Sequence, residues 1–137
     1  MLQIEDENVV RTSLNSHPLC AVAGIPDGGA REVEAEVGGI AESLILTRRA
    51  ERVAAFLNVC PHAGRRLDWA PGQFLIDRGN LVCAVHGASF DLPTGECIGG
   101  PCRGASLRAV PTEVRDGQVW LVTSKEPGSE SGSVGRL

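Results

Sequence analysis

Residues 58–72 read NVCPHAGRRLDWAPG, and residues 81–101 read LVCAVHGASFDLPTGECIGGP. The first stretch carries Cys60-x-His62 and the second Cys83-x-x-His86, with 20 residues between His62 and Cys83. Each offers one thiolate and one imidazole from a tight loop. Each directly follows a strand-like run, FLNV before Cys60 and NLV before Cys83. A glycine comes shortly after each pair, Gly64 and Gly87, which lets backbone N–H groups turn inward. Two facing loops of this kind make a four-ligand pocket from Cys60, His62, Cys83 and His86.

Working outward, short apolar runs alternate with turn signals. LCAVAGI (residues 19–25) is ended by PDGG, where Pro sets φ and Gly permits positive φ. REVEAEV alternates as a half-buried strand does, and Gly38-Gly39 punctuates it. ESLILTRR and ERVAAFLNV follow as two strands meeting near residues 49–51. The alanines of residues 50–57 also allow a helix, but the run continues into FLNV directly before a metal motif, which favours strand. FLID, LVCAV, ASFDL and QVWLV are separated by DRGN, PTGE and RDGQ. Asp116-Gly117 between VPTEV and QVWLV is a hairpin signal. Many short strands, with 17 Gly and 8 Pro, predict an all-β domain with prominent loops. Residues 1–18 read as a polar arm, 19–124 as the domain, and the Gly/Ser-rich 125–137 as a disordered tail.

The chain has 137 residues, one ordinary domain, and a formal net charge of −4. Residues 1–42 hold eight carboxylates against Arg11 and Arg31, while 60–108 is nearly balanced. The acidity argues against nucleic-acid binding, which needs a basic face. No apolar run is long enough for a membrane span, and MLQIEDENVV lacks a basic n-region, so the expected location is cytoplasmic. Five cysteines, an odd number, argue for metal ligation over a disulfide framework.

Zinc and a [2Fe–2S] cluster both accept two Cys and two His. Structural zinc usually pairs Cys with Cys and His with His in its short motifs. Here each motif mixes one of each, which suits a cluster with chemically distinct irons. The two stretches together resemble the Rieske family, specifically its soluble ferredoxin-like members, over roughly residues 19–123. The resemblance implies the Rieske fold of packed antiparallel sheets with a two-loop cluster-binding tip. It implies Cys60 and Cys83 on the inner iron and His62 and His86 on the outer one. Gly64, Gly87, Ala88 and Ser89 would line the cluster, with Gly100 and Pro101 in a shielding loop.

High-potential respiratory Rieske proteins join their two loops by a disulfide; the matching positions here are Arg65 and Val85. They also carry a serine and a tyrosine that donate hydrogen bonds to sulfur; the matches here are Ala88 and Phe90, which cannot donate. Without those donors the extra electron is less stabilised, and the potential is expected near the low end of the family range, roughly −150 mV. Ser89 should point away in an extended segment. With neutral imidazoles and two ferric ions the centre sums to zero charge, and reduction leaves one negative charge. Loss of ring protons from His62 and His86 should couple potential to pH.

Cys97 and Cys102 are read as semi-buried thiols near the shielding loop rather than a disulfide or redox pair. Cys20 is read as core, and His17 as a solvated side chain. Arg65 and Arg66 either form a docking patch or pair with Asp68 and solvent. Trp69 and Trp120 are read as packing residues, as are Phe56, Phe74 and Phe90. The resemblance implies a monomeric one-electron carrier between a reductase and an oxygenase-type acceptor, met transiently, with no catalytic site of its own. The alternatives are a small subunit of a larger reductase, of the nitrite reductase type, or a cluster-based sensor.

Overall fold

The computed structural model describes residues 13–14, 17–61, 64–83, 87–102 and 104–123. The expected disordered tail, 125–137, lies outside the described residues, as do His62 and His86. Strands β1 (Ser13–Leu14), β2 (Cys20–Ala21), β3 (Gly29–Val37), β4 (Ile40–Arg49) and β5 (Arg52–Leu57) come first. Then follow β6 (Leu75–Asp77), β7 (Asn80–Cys83), β8 (Ala88–Asp91), β9 (Cys97–Gly99), β10 (Thr112–Arg115) and β11 (Gln118–Thr123). One 3₁₀ turn, Val22–Gly24, ends the LCAVAGI run. Residues 52–57 are strand, not helix: β5 pairs with β4 from Leu44↔Leu57 to Arg49↔Arg52. Among the described residues no helix is long and apolar enough to cross a membrane.

Among the described residues all strand pairings are antiparallel and form three sheets. One has the order β9-β8-β7-β6, one β3-β4-β5, and one β10-β11-β1 with β2 also on β11. Strand β4 separates two hydrophobic clusters, and the two-residue period of a strand sorts its side chains between them. Leu44 and Leu46 join Ile25, Ala55, Val119 and Leu121. Ile45 faces the other way, with Phe56, Leu81 and Phe90. Thr47, on that same side, is buried but donates from Oγ1 to the Leu92 carbonyl at 2.7 Å. A buried hydroxyl needs such a partner. The REVEAEV alternation leaves Arg31, Glu34 and Glu36 exposed on β3.

The free edge of β5 is covered. Leu57 N–H donates to the Arg108 carbonyl, and Val110 N–H donates to the Ala55 carbonyl, both at 2.9 Å. The segment between these bonds leads on to β10. That connection joins the β3-β4-β5 sheet to the last sheet and protects an edge that would otherwise pair with another chain. The β6–β9 sheet lies against the Ile45 side and carries the Cys83 motif at the end of β7, while the Cys60 motif follows β5.

Candidate metal centre

Cys60 follows β5 and Cys83 is the last residue of β7. Both thiols are free, both residues are buried (0% and 1% exposed), and both belong to the Ile45-side cluster. The chain turns the same way after each. Gly64 N–H donates to the Cys60 carbonyl at 2.7 Å, and Gly87 N–H donates to the Cys83 carbonyl at 2.8 Å. Both glycines sit in the left-handed region, with φ of 68° and 72°. That conformation is open to Gly and strained for most other residues. Each of these N–H groups closes a turn onto the carbonyl of its own cysteine. Cys83 and Ala88 are opposite one another across β7 and β8, so the chain reverses between them.

The first loop is braced by a polar network that reaches across the sheet. Asn58, only 2% exposed, accepts the Leu67 N–H on Oδ1 at 2.9 Å. Its Nδ2 donates to Ser43 Oγ at 3.1 Å, and Ser43 Oγ donates to Glu32 Oε2 at 2.6 Å. Arg66 Nη2 reaches Glu32 Oε2 at 2.8 Å and Asp68 Oδ2 at 2.7 Å, while its Nε reaches Asp68 Oδ1 at 3.0 Å. Asp68 Oδ2 also accepts the Gly72 N–H at 3.0 Å. Cys60 N–H, inside the loop, donates to the Arg65 carbonyl at 2.6 Å. Burial alone would raise the Asp68 pKa. The hydrogen bonds from Arg66, Gly72 and Asn58, with the Arg66 charge, outweigh it and hold the carboxyl below its ordinary value. Hydrogen bonds to Asp68 and then Glu32 in turn hold the Arg66 guanidinium above its ordinary value.

A third segment closes over the second loop. Gly100 has φ 86°, and a Cβ there would lie 2.9 Å from both the Ala88 Cα and the Gly87 carbonyl oxygen. The segment is therefore pressed against the start of β8, where Ala88 is fully buried. Cys97 and Cys102, read from sequence as thiols, are instead joined as a disulfide with their Cα atoms 5.9 Å apart. The turn between them brings two residues five apart within the reach of a disulfide, which composition alone does not reveal. Both half-cystines are buried in the same cluster as Cys60 and Cys83.

The donor chemistry fits an iron–sulfur group. Two unpaired, water-excluded thiols stand at matched loop ends in one cluster, where two thiolates on one iron would be needed. The family description matching this chain is the Rieske [2Fe-2S] domain, over residues 15–119. The chain belongs to the Rieske [2Fe-2S] domain family. A cluster of that type is the cofactor this family carries.

Among Rieske relatives, the chain is 30% identical to the 3-phenylpropionate/cinnamic acid dioxygenase ferredoxin subunit of Photorhabdus laumondii. That match spans 108 residues, 79% of this chain and 94% of the relative. The solved Sphingomonas yanoikuyae B1 ferredoxin superposes with a TM-score of 0.61 at 25% identity, covering 80% of this chain and all of that one. A chain of the solved complex of reduced oxygenase and oxidized ferredoxin in carbazole 1,9a-dioxygenase gives a TM-score of 0.62 at 26% identity, covering 81% and 95%.

The remaining expected Rieske residues take these places. Ala88 and Phe90 point inward and Ser89 is partly exposed, as the alternation on β8 requires. Pro101 is exposed at the rim of the third segment. Arg66 is committed to Asp68 and Glu32, whereas Arg65 is exposed. Trp69 corrects its expectation: it is 63% exposed, because its loop is held by Asn58 and Asp68 and leaves the indole outside. Phe56 and Phe90 are core, and Phe74 packs against it. His17 is exposed. Cys20 packs beside the other cluster, where burial, partly offset by Arg31, pushes its thiol pKa up. Sequence reasoning missed Asn58, Ser43 and Glu32. The available signal was a lone Asn between apolar residues just before Cys60.

Proposed function

We propose that this protein is a one-electron carrier whose Rieske-type cluster is held by Cys60, His62, Cys83 and His86, working between a reductase and an oxygenase-type acceptor. The observation that carries the reading is the pair of buried, unpaired thiols at two loops closed by the same turn. When bound, the cluster supplies one-electron storage at little structural cost. The chain supplies everything else. The apolar cluster around Cys60 and Cys83 keeps water from their sulfurs. The turns at Gly64 and Gly87 tie the end of each loop back to its own cysteine. The Asn58–Ser43–Glu32–Arg66–Asp68 network holds the feet of the first loop.

The rim around these loops is exposed. It includes Val59 and Ile98, 44% and 46% exposed, with Pro61, Arg65 and Pro101. Exposed apolar side chains beside each of the two loops suit a small, transient contact. The dioxygenase ferredoxin relative supports the same role. Gly64, Gly87, Ala88, Ser89, Gly100 and Pro101 are the residues proposed to line or shield the cluster. A monomer in the cytoplasm, with no catalytic site of its own, suffices for this work.

The test is reconstitution. The loaded protein is mixed with a purified ferredoxin reductase of a ring-hydroxylating dioxygenase system, NADH and cytochrome c. Cytochrome c reduction that needs both proteins, and disappears with His86→Ala, is the expected result. Reduction at the same rate without the protein would contradict the carrier role.

A further inference from the structure

The Cys97–Cys102 bridge lies outside the proposed ligand set but in the same buried cluster as Cys60 and Cys83. It closes residues 97–102 into a ring, and the ring holds Gly100 against the backbone of Gly87 and Ala88. Gly87 closes the turn after Cys83, so the ring presses on the second metal loop itself. The ladder that should hold this segment is irregular, because the β9–β8 register shifts between Cys97 and Gly99. Backbone bonds anchor its two ends: Cys97 N–H donates to the Ala105 carbonyl and Ala105 N–H to the Cys102 carbonyl, both at 2.9 Å. Between those ends the covalent bridge supplies the restraint where the ladder does not. Ile98, Gly100 and Pro101, inside the ring, are exposed. The bridge itself is buried, with Cys97 and Cys102 each 4% exposed, directly beneath ring residues that face solvent.

We propose that Cys97 and Cys102 form a second redox site, a two-electron dithiol/disulfide couple that sets how tightly the shielding segment covers the one-electron iron centre. The inference rests on the reading of Cys60 and Cys83 as iron ligands. The co-reactant is a dithiol reductant. One of its thiolates attacks a bridge sulfur, the Cys97–Cys102 bond breaks, and a mixed disulfide forms. The reductant's second thiol displaces the protein sulfur. The protein gains two electrons and two protons as two thiols, and the reductant leaves as its own disulfide. With the bridge open, Gly100 is no longer pinned on Ala88, and water reaches the second loop. The reduced centre carries one more negative charge than the oxidised one, so added hydration favours reduction and raises the potential.

The experiment uses the full chain with its cluster. Folded protein is exposed to graded dithiothreitol, trapped with iodoacetamide, and scored by peptide mass for Cys97 and Cys102. On the same samples the cluster potential is read by EPR-monitored titration, and cluster loss by visible absorbance under a chelator. Closed protein should show the bridge. Opened protein and the Cys97→Ser/Cys102→Ser variant should share a higher potential and faster loss. Equal potentials and equal loss rates in all three would overturn the coupling, and so would free thiols in air-equilibrated protein. Wild-type protein that holds the bridge but gives no Rieske signal in any preparation would instead overturn the iron reading, and the coupling with it.

Discussion

The Asn58 carboxamide oxygen accepts the Leu67 N–H at 2.9 Å, which ties the residue two places before Cys60 to the far foot of the loop beginning there. The same side chain holds Ser43, and through it Glu32 and Arg66. Buried and fully used, it cannot be removed without orphaning partners. Asn58→Ala should therefore cost about 1–3 kcal/mol in a urea unfolding curve. Chelator-driven bleaching should quicken in the same variant, and Asn58→Asp should not rescue it, because it loses the donor to Ser43 and places a second buried carboxylate beside Asp68.

Asp68 gives the loop a pH dependence. Its folded pKa lies below its ordinary value. In the unfolded chain the carboxyl titrates near ~3.9. A depressed folded pKa contributes stability above that value, and the contribution is lost as pH falls through the folded pKa. Asp68→Asn should thus destabilise the protein by about 1–2 kcal/mol near neutral pH, since Arg66 is half in solvent. The gap between variant and wild type, read from urea midpoints, should shrink in acid below ~pH 4.

Gly100 meets Ala88 too closely for any other residue. Gly100→Ala places a Cβ at 2.9 Å from backbone and demands a left-handed conformation. The cost should be at least about 1 kcal/mol, delivered as displacement of the shielding segment. Faster cluster loss with an unchanged strand content by circular dichroism is the expected result.

Ala88 is fully buried in the cluster that contains both cysteines. Ala88→Ser adds a donor there. A hydrogen bond to a charged acceptor, worth about 1.5 kcal/mol in the reduced state, corresponds to a rise of about 60 mV. A redox titration of the variant that leaves the potential unmoved would mean the new hydroxyl does not reach sulfur.

Much of this fold is legible locally. The REVEAEV alternation and the break at Gly38-Gly39 mark β3 and its hairpin with β4, because register follows period and turn. Asp116-Gly117 likewise joins β10 to β11. The two cysteines are legible because a thiol closely followed by an imidazole and a glycine is a local pattern. The bracing network is not, since Glu32, Ser43 and Asn58 meet only when three strands pair. Nor is the Cys97–Cys102 bridge, which depends on the turn between them. The exposure of Trp69 was missed for the same reason: burial of one indole is set by the loop's tertiary anchors.

The most direct test of the central claim is EPR of the purified, dithionite-reduced protein, with iron and acid-labile sulfide assayed on the same sample. The account predicts a rhombic signal of low average g, with two irons and two sulfides per chain. An EPR-silent protein carrying stoichiometric zinc would contradict it, making the four ligands a structural site and removing the electron-transfer role.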